Sequence, residues 1–320
     1  MPEASPLVIV AVPTFRRPDT LARLLTELPG QQRDAERAHG VRTAVVVIDN
    51  DPAMSAEPIA RGFTVTYVSQ PERGLAAVRN AALDAAGDAE ALVFIDDDET
   101  PQAEWLSTLV GVWRAGGVEF VSGRVVSTFA YPLDPWIDAG GFFKRVQFTE
   151  GQRMPFAATN NLLIDMEFLR RSGLRFDNAF ALSGGEDIRL TSQAVAVGAR
   201  IVATPVAVVT DPVPASRATR RWVLQRAFRV GTTTARCEIL LHPTRGGRAV
   251  ARVRWFAEGL VRAGAGAVRW VAGGLVRSLG HRARGARLVA RGAGMCAGAF
   301  GMRYAEYRAR HTAAAQDALQ

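Results

Sequence analysis

Apolar residues fall into two spacings over the first two thirds of the chain. Leu7–Val12, Thr43–Ile48, Phe63–Val68 and Ala91–Ile95 are short apolar runs with the length of buried strands. Between them the spacing becomes helical: Leu21, Leu24, Leu25 and Leu28 share one face of a helix starting near Asp19, and Leu75–Ala86 reads as a helix carrying Arg79 and Asn80. Further on, the pattern predicts a helix over 102–115, a strand over Glu119–Val126, and a strand over Ala157–Ile164 carrying Asn160 and Asn161. A helix over 166–172, a helix from Glu186 to about Gly198 and a last strand over Arg200–Val209 follow. Strands alternating with helices imply βαβ units. The predicted fold class is therefore α/β: a mostly parallel open sheet with helices on both faces. The aromatic-rich segment 127–155, with Trp136 and Gly140–Phe143, shows no clear period and reads as a long functional or mobile loop.

Polar residues gather where these strands stop. The run at 91–95 ends abruptly in Asp96-Asp97-Asp98-Glu99. Side chains alternate along a strand, so Asp96 and Asp98 point to the same side. Four acids this close repel unless something positive sits among them. A divalent cation on carboxylate oxygens, itself holding phosphates, answers that need; an acidic turn capping the helix after Pro101 is the plainer alternative. Open α/β sheets bind ligands beyond the carboxyl ends of their strands, and Thr14, Asp49, Asp96 and Asp98 all stand at such ends.

Charge changes the picture after about residue 211. The chain has 320 residues and a net charge of +8, yet residues 211–320 hold twenty Arg against five acids. Arg221–Arg229 reads as a basic amphipathic helix. Val253, Phe256, Leu260 and Val261, then Val268, Val271 and Leu275, recur at helical spacing, while the many glycines weaken the helix pattern. Basic helices with Trp255 and Trp270 suit an anionic membrane surface, lying in the interface without crossing it; a solvated Arg-rich face on a helical bundle is the alternative. The division predicted is 1–211 for a catalytic domain and 212–320 for an Arg-rich helical region. No run reaches about 18 apolar residues, and Leu7–Val12 is too short for a signal peptide. Two distant cysteines, Cys237 and Cys296, favour a reducing compartment. The expected location is cytoplasmic, peripheral to the inner face of the plasma membrane. No nucleic-acid module is visible, so that partner is not expected.

The order of motifs resembles the family 2 glycosyltransferases of GT-A fold, of the bacterial surface-polysaccharide type. Val10-Ala-Val-Pro13-Thr14-Phe15 looks like the opening strand and nucleotide loop, and Val46-Val-Ile-Asp49 like the strand whose Asp recognises the base. Arg73-Gly-Leu-Ala-Ala-Val-Arg79-Asn80 resembles the Gly-x-x-x-x-Arg-Asn helix, Asp96-Asp97-Asp98 the Asp-x-Asp motif, and Glu186-Asp187 the pair that supplies the base. The second strand departs from the common Asp-Asp-Gly-Ser ending, reading Asp49-Asn50-Asp51-Pro52, and the Gln-x-x-Arg-Trp motif of processive synthases is absent.

The resemblance implies sugar transfer from a nucleotide-diphosphate donor to a hydroxyl of a glycan or polyprenyl-linked acceptor, with inversion. It casts Asp187 as general base, with Glu186 orienting the acceptor or the base. Mg²⁺ or Mn²⁺ would sit on Asp98 and Asp96, neutralising the diphosphate. Pro13, Thr14, Asp49, Arg79, Asp96 and Asp97 are the expected nucleotide-sugar contacts. Asn160, Asn161 and Trp136 are candidate acceptor contacts, Phe142 and Phe143 extend an aromatic platform, and His242 is a candidate ligand of metal or diphosphate. Two other readings compete. A sugar-phosphate nucleotidyltransferase would carry a Gly-rich loop after the first strand, which here reads Pro13-Thr14-Phe15-Arg16-Arg17. A catalytically silent membrane scaffold would have no need of Asp98 and Asp187.

Overall fold

The computed structural model describes residues 5–180 and 184–302. Leu182 and Ser183 of the loop before Glu186, and the basic residues beyond 302, lie outside the described residues. Two compact units divide the chain: Met1–Val126, Arg145–Ala181 and Glu186–Pro212 in the first, and Ser127–Lys144, Leu182–Gly185 and Val213–Gln320 in the second.

The sheet-bearing unit opens with β1 (Leu7–Thr14), α1 (Pro18–His39), β2 (Arg42–Asp49), α2 (Glu57–Ala60), β3 (Thr66–Ser69), α3 (Leu75–Ala85) and β4 (Ala91–Phe94). Then come β5 (Thr100–Pro101), α4 (Trp105–Arg114) and β6 (Phe120–Thr128). A short helix, α5 (Pro135–Gly140), lies in the second unit. The chain returns through β7 (Arg153–Met154), β8 (Leu162–Asp165), α6 (Met166–Ser172), α7 (Glu186–Ala196) and β9 (Ile201–Pro212).

The sheet runs β3-β2-β1-β4-β8-β6-β9-β5, with β7 on β9. From β3 to β4 every pairing is parallel, as the βαβ pattern requires. Beyond β4 the sense changes: β8 pairs antiparallel with β4 and β6, and β9 antiparallel with β5 and β7. The sheet is thus mixed, and the parallel expectation holds for its nucleotide-loop half. The reason is local, since β8 follows a long excursion after β6 with no crossover helix to return it parallel.

Alternation along β1 sets the two faces. Val8, Val10 and Val12 pack in one cluster with Leu21, Leu24, Leu25 and Leu28 of α1 and with Trp105, Leu106 and Leu109 of α4. Ile9 and Ala11 pack in the other with Ala76, Val78 and Ala82 of α3, Phe168 of α6 and Leu190 of α7. The strand expected at 157–164 starts only at Leu162, because Asn161 takes a left-handed backbone (φ 71°). The irregular 127–155 segment holds α5, whose N-terminus is capped by Asp134: its Oδ1 accepts from Trp136 N at 2.7 Å and Ile137 N at 3.3 Å.

The second unit also contains α8 (Arg220–Leu241), α9 (Arg245–Leu275) and α10 (Leu279–Ala299). Thr219, Thr244 and Ser278 cap their N-termini, accepting from Trp222 N, Gly247 N and His281 N. The glycines that weaken the helix pattern are packing sites. Gly259, Gly266 and Gly273 repeat every seven residues on α9, facing Gly285 and Gly292 on α10. A Cβ on Gly292 would stand 2.5 Å from Gly259 O, and one on Gly266 2.8 Å from Gly285 O. The backbones approach too closely for any side chain. Among the described residues no helix is long and apolar enough to cross a membrane.

One substitution at two glycines separates propensity from packing. Gly264→Ala meets nothing within 4 Å and is expected to gain up to about 1 kcal/mol of helix propensity. Gly292→Ala is expected to cost about 1–3 kcal/mol through overpacking. Thermal unfolding of both variants checks this, and shifts of the same sign would contradict the packing assignment.

Candidate active site

The register brings the polar strand ends to one rim of the sheet. Thr14 pairs with Asp49 across β1 and β2, and β4 beside them ends at Phe94, two residues before Asp96. The acidic run turns tightly: Glu99 N donates to Asp96 O at 3.1 Å, and Asp96 N donates to Glu99 Oε2 at 3.2 Å. Pairing of Thr100 with Thr210 through β5 and β9 then pins the loop.

Three of the four carboxylates meet side chains from other elements. Thr14 Oγ1 donates to Asp97 Oδ2 at 2.7 Å. Arg17 Nη1 bridges Asp97 Oδ1 at 2.9 Å and Asp98 Oδ2 at 2.6 Å. Asn160 Nδ2 donates to Glu99 Oε1 at 2.9 Å. Burial raises the Asp96 carboxyl to about 6; Arg79 opposes the rise, and Asp98, Asp97 and Asp211 add to it. Burial, then the charge of Asp96, also holds Glu99 well above the usual carboxylate range. Asp97 is raised as well, by burial, against the pull of Arg17 and Thr14. The repulsion anticipated from sequence is thus only partly neutralised by the chain's own cations.

Arg79 joins this cluster to the second acidic motif. Arg79, 8 % exposed, forms an ion pair with Glu186 Oε1, and Glu186 Oε2 is buried without a hydrogen-bond partner among the described residues. The helical pattern places Arg79 on the inner face of α3, and Glu186 opens α7. The pair therefore fixes the first turn of α7, on which half-buried Asp187 stands.

Other sequence candidates lie elsewhere or are already engaged. Asp49 is fully buried; Oδ1 accepts from Asp51 N at 2.9 Å and Oδ2 from Ala56 N at 2.8 Å and Tyr67 Oη at 3.1 Å. Burial and then Asp49 push the Tyr67 phenol up to about 12. Pro13 lies within β1 opposite Ile48. Asn161 is fully buried, accepting from Trp105 Nε1 at 2.8 Å and donating to Arg124 O and Ala207 O, both at 2.9 Å. Its amide is thus fully engaged within the fold. Trp136 belongs to the second unit, 9 % exposed, stacked on Phe142 at 5.1 Å with Arg220 over its ring at 5.4 Å. His242 ends α8 in the same unit. Sequence reasoning passed over Arg17 and Asp211. Arg17 sits three residues past the end of β1, on the rim where anions were expected, and its position was the available signal.

Among the described residues no three His, Cys, Asp or Glu side chains form a cage for a metal ion. The hard oxygen donors present fit a cation held by one or two carboxylates and completed by substrate phosphates. The raised Asp96 and Glu99 are what such a charge would relieve.

A family profile described as Glycosyl transferase family 2 matches residues 9–173. The succinoglycan biosynthesis protein ExoM of Rhizobium meliloti (strain 1021) is 32% identical over 243 residues, covering 74% of this chain and 76% of that protein. The mannosyltransferase PcManGT of Pyrobaculum calidifontis, solved with GDP-Man and Mn²⁺, superposes with a TM-score of 0.57 at 20% identity, over 90% of this chain and 86% of that one. S. aureus TarS 1–349, solved with UDP-GlcNAc, superposes at 0.51 with 13% identity, over 86% and 89%. The two structures share the GT-A fold with this chain.

The sign of the Asp96 shift yields a pH prediction. Below about pH 4 this carboxyl is protonated folded or unfolded and costs nothing. As pH rises from about 4 to 6 the unfolded chain releases the proton while the fold retains it, so stability falls. In EDTA, Asp96→Asn is expected to melt several degrees above the parent near pH 7.5 and by much less near pH 4.5. An equal difference at both pH values would contradict the assignment.

Proposed function

We infer, for a chain that belongs to the family 2 glycosyltransferases, that it moves a sugar from a nucleotide-diphosphate donor to a hydroxyl of a glycan or lipid-linked acceptor, with inversion, in the making of a cell-surface polysaccharide. The observation that carries this reading is the link through Arg79: one guanidinium serves both the acidic cluster after β4 and the Glu186-Asp187 turn. Donor binding and proton removal would be held in one framework. The solved relatives with GDP-Man and Mn²⁺, and with UDP-GlcNAc, support a nucleotide-sugar donor.

In the proposed reaction the acceptor oxygen attacks the anomeric carbon as the bond from that carbon to the diphosphate oxygen breaks. Asp187 takes the hydroxyl proton. Glu186, pinned by Arg79, is a positioning residue that sets the angle of α7 and so of Asp187. Asp98, with Asp96, would hold Mg²⁺ or Mn²⁺, which when bound supplies positive charge against the diphosphate. Thr14 and Arg17 orient Asp97 and Asp98 for that task. Asp49 commits both oxygens to its own loop, so it shapes the base pocket through residues 50–56. Asn160 remains the proposed acceptor contact of the sheet-bearing unit.

The helical unit is proposed to rest on an anionic membrane face, placing the enzyme peripherally at the cytoplasmic side. Val250, Val253, Leu260, Val261, Val268, Val271 and Leu275 of α9 are all more than half exposed, and at 100° per residue they share one side of the helix. Residues 245–299 carry eleven Arg and one acid, Glu258.

Asp187→Asn tests the reaction. With a panel of nucleotide sugars, turnover is expected to fall at least about a hundredfold while calorimetric binding of the nucleotide diphosphate persists. Near-normal turnover would remove Asp187 as the base.

A further inference from the structure

The helical unit holds a second charged site, of opposite sign to the acidic rim. Arg287 and Arg291 lie one turn apart on α10. An added Cβ on Gly292 would be 2.7 Å from Ala263 N, so Arg291 and Arg262 adjoin a point of backbone contact between the two helices, near enough for the charge of Arg262 to act on Arg291. Among the described residues one carboxylate serves the three guanidinium groups: Arg262 Nε donates to Glu258 Oε1 at 2.8 Å. Arg287 Nη1 donates to Gly141 O at 3.0 Å and lies over Phe142. Arg291 Nε is buried with no hydrogen-bond partner among the described residues. Burial, then the charges of Arg262 and Arg287, depresses the affinity of Arg291 for its own proton, and burial does the same at Arg287.

Arg262, Arg287 and Arg291 are each half-buried, and the buried Nε of Arg291 stands among like charges, an arrangement that costs stability unless an anion completes it. The guanidinium fork matches phosphate in geometry as well as charge.

We propose that Arg262, Arg287 and Arg291 form a phosphate-binding site on the helical unit. The phosphate could reach it on a lipid headgroup or free in solution. The source the structure favours is free phosphate, because at 100° per residue Arg262 lies about 150° around α9 from the exposed apolar stripe that would lie in a bilayer. Neither the site nor that choice needs the membrane reading above.

The full-length protein in EDTA, with Arg262→Gln and Arg291→Gln combined, tests the site. Without phosphate the double variant is expected to melt at or above the parent, because buried like charges are removed. Inorganic phosphate is expected to raise the melting temperature of the parent and of Asp98→Ala. In the double variant the apparent affinity should weaken at least about tenfold. The charge-conserving pair Arg262→Lys and Arg291→Lys should keep part of the response. No response in the parent, an equal response in the Gln variant, or a Gln variant less stable without phosphate would each overturn the site. Sedimentation with phosphatidylcholine vesicles containing phosphatidic acid, against vesicles of equal charge containing phosphatidylglycerol, identifies the source. Equal binding to both by the parent supports free phosphate. A preference for phosphatidic acid that the Gln variant loses would overturn free phosphate as the source.

Discussion

Repulsion among four consecutive carboxylates is the constraint on which the sheet-bearing unit depends. Asp96, Asp97, Asp98 and Glu99 are held together after β4 although burial and mutual charge push three of them toward the protonated form. Their partial compensation comes from separate elements: Thr14 at the end of β1, Arg17 just beyond it, Arg79 on α3 and Asn160 before β8. Each must be brought to the rim by the fold, so the strand order and the site are one arrangement. The residual repulsion favours a cation beside Asp96 and Asp98.

Much of this was legible in the sequence because it follows from period. Runs such as Leu7–Val12 and Ala91–Ile95 locate central strands, and the leucine spacing of α1 locates its covered face. The strand ends then place Thr14, Asp49 and Asp96 on one rim without further information. Long-range pairing was less legible. The antiparallel half of the sheet depends on where the chain goes after β6, and nothing in the β8 sequence encodes its direction. Asn161 looked like a ligand-binding amide, but its left-handed backbone and its bonds to Trp105, Arg124 and Ala207 make it part of the packing. Arg17 was passed over because an arginine in a loop carries no period, and only the fold shows which carboxylates it meets.

The helical unit teaches a related lesson about glycine. Propensity alone argues against long helices through residues 245–299. The seven-residue repeat of Gly259, Gly266 and Gly273 shows why they form: absent side chains let α9 and α10 approach at backbone distance, and close packing outweighs the conformational cost. The same close approach brings arginines of the two helices together and turns the aliphatic residues of α9 outward.

The central claim is that the carboxylate cluster at the end of β4 receives a cation together with a nucleotide diphosphate. Thermal unfolding against a panel of nucleotide diphosphates, each with Mn²⁺, with Mg²⁺ and with EDTA, tests it most directly, since ligands of the native state raise the melting temperature by mass action. The account predicts a rise with one nucleotide that requires the metal and disappears in Asp98→Ala. A rise unchanged by EDTA, or none with any nucleotide, would contradict it.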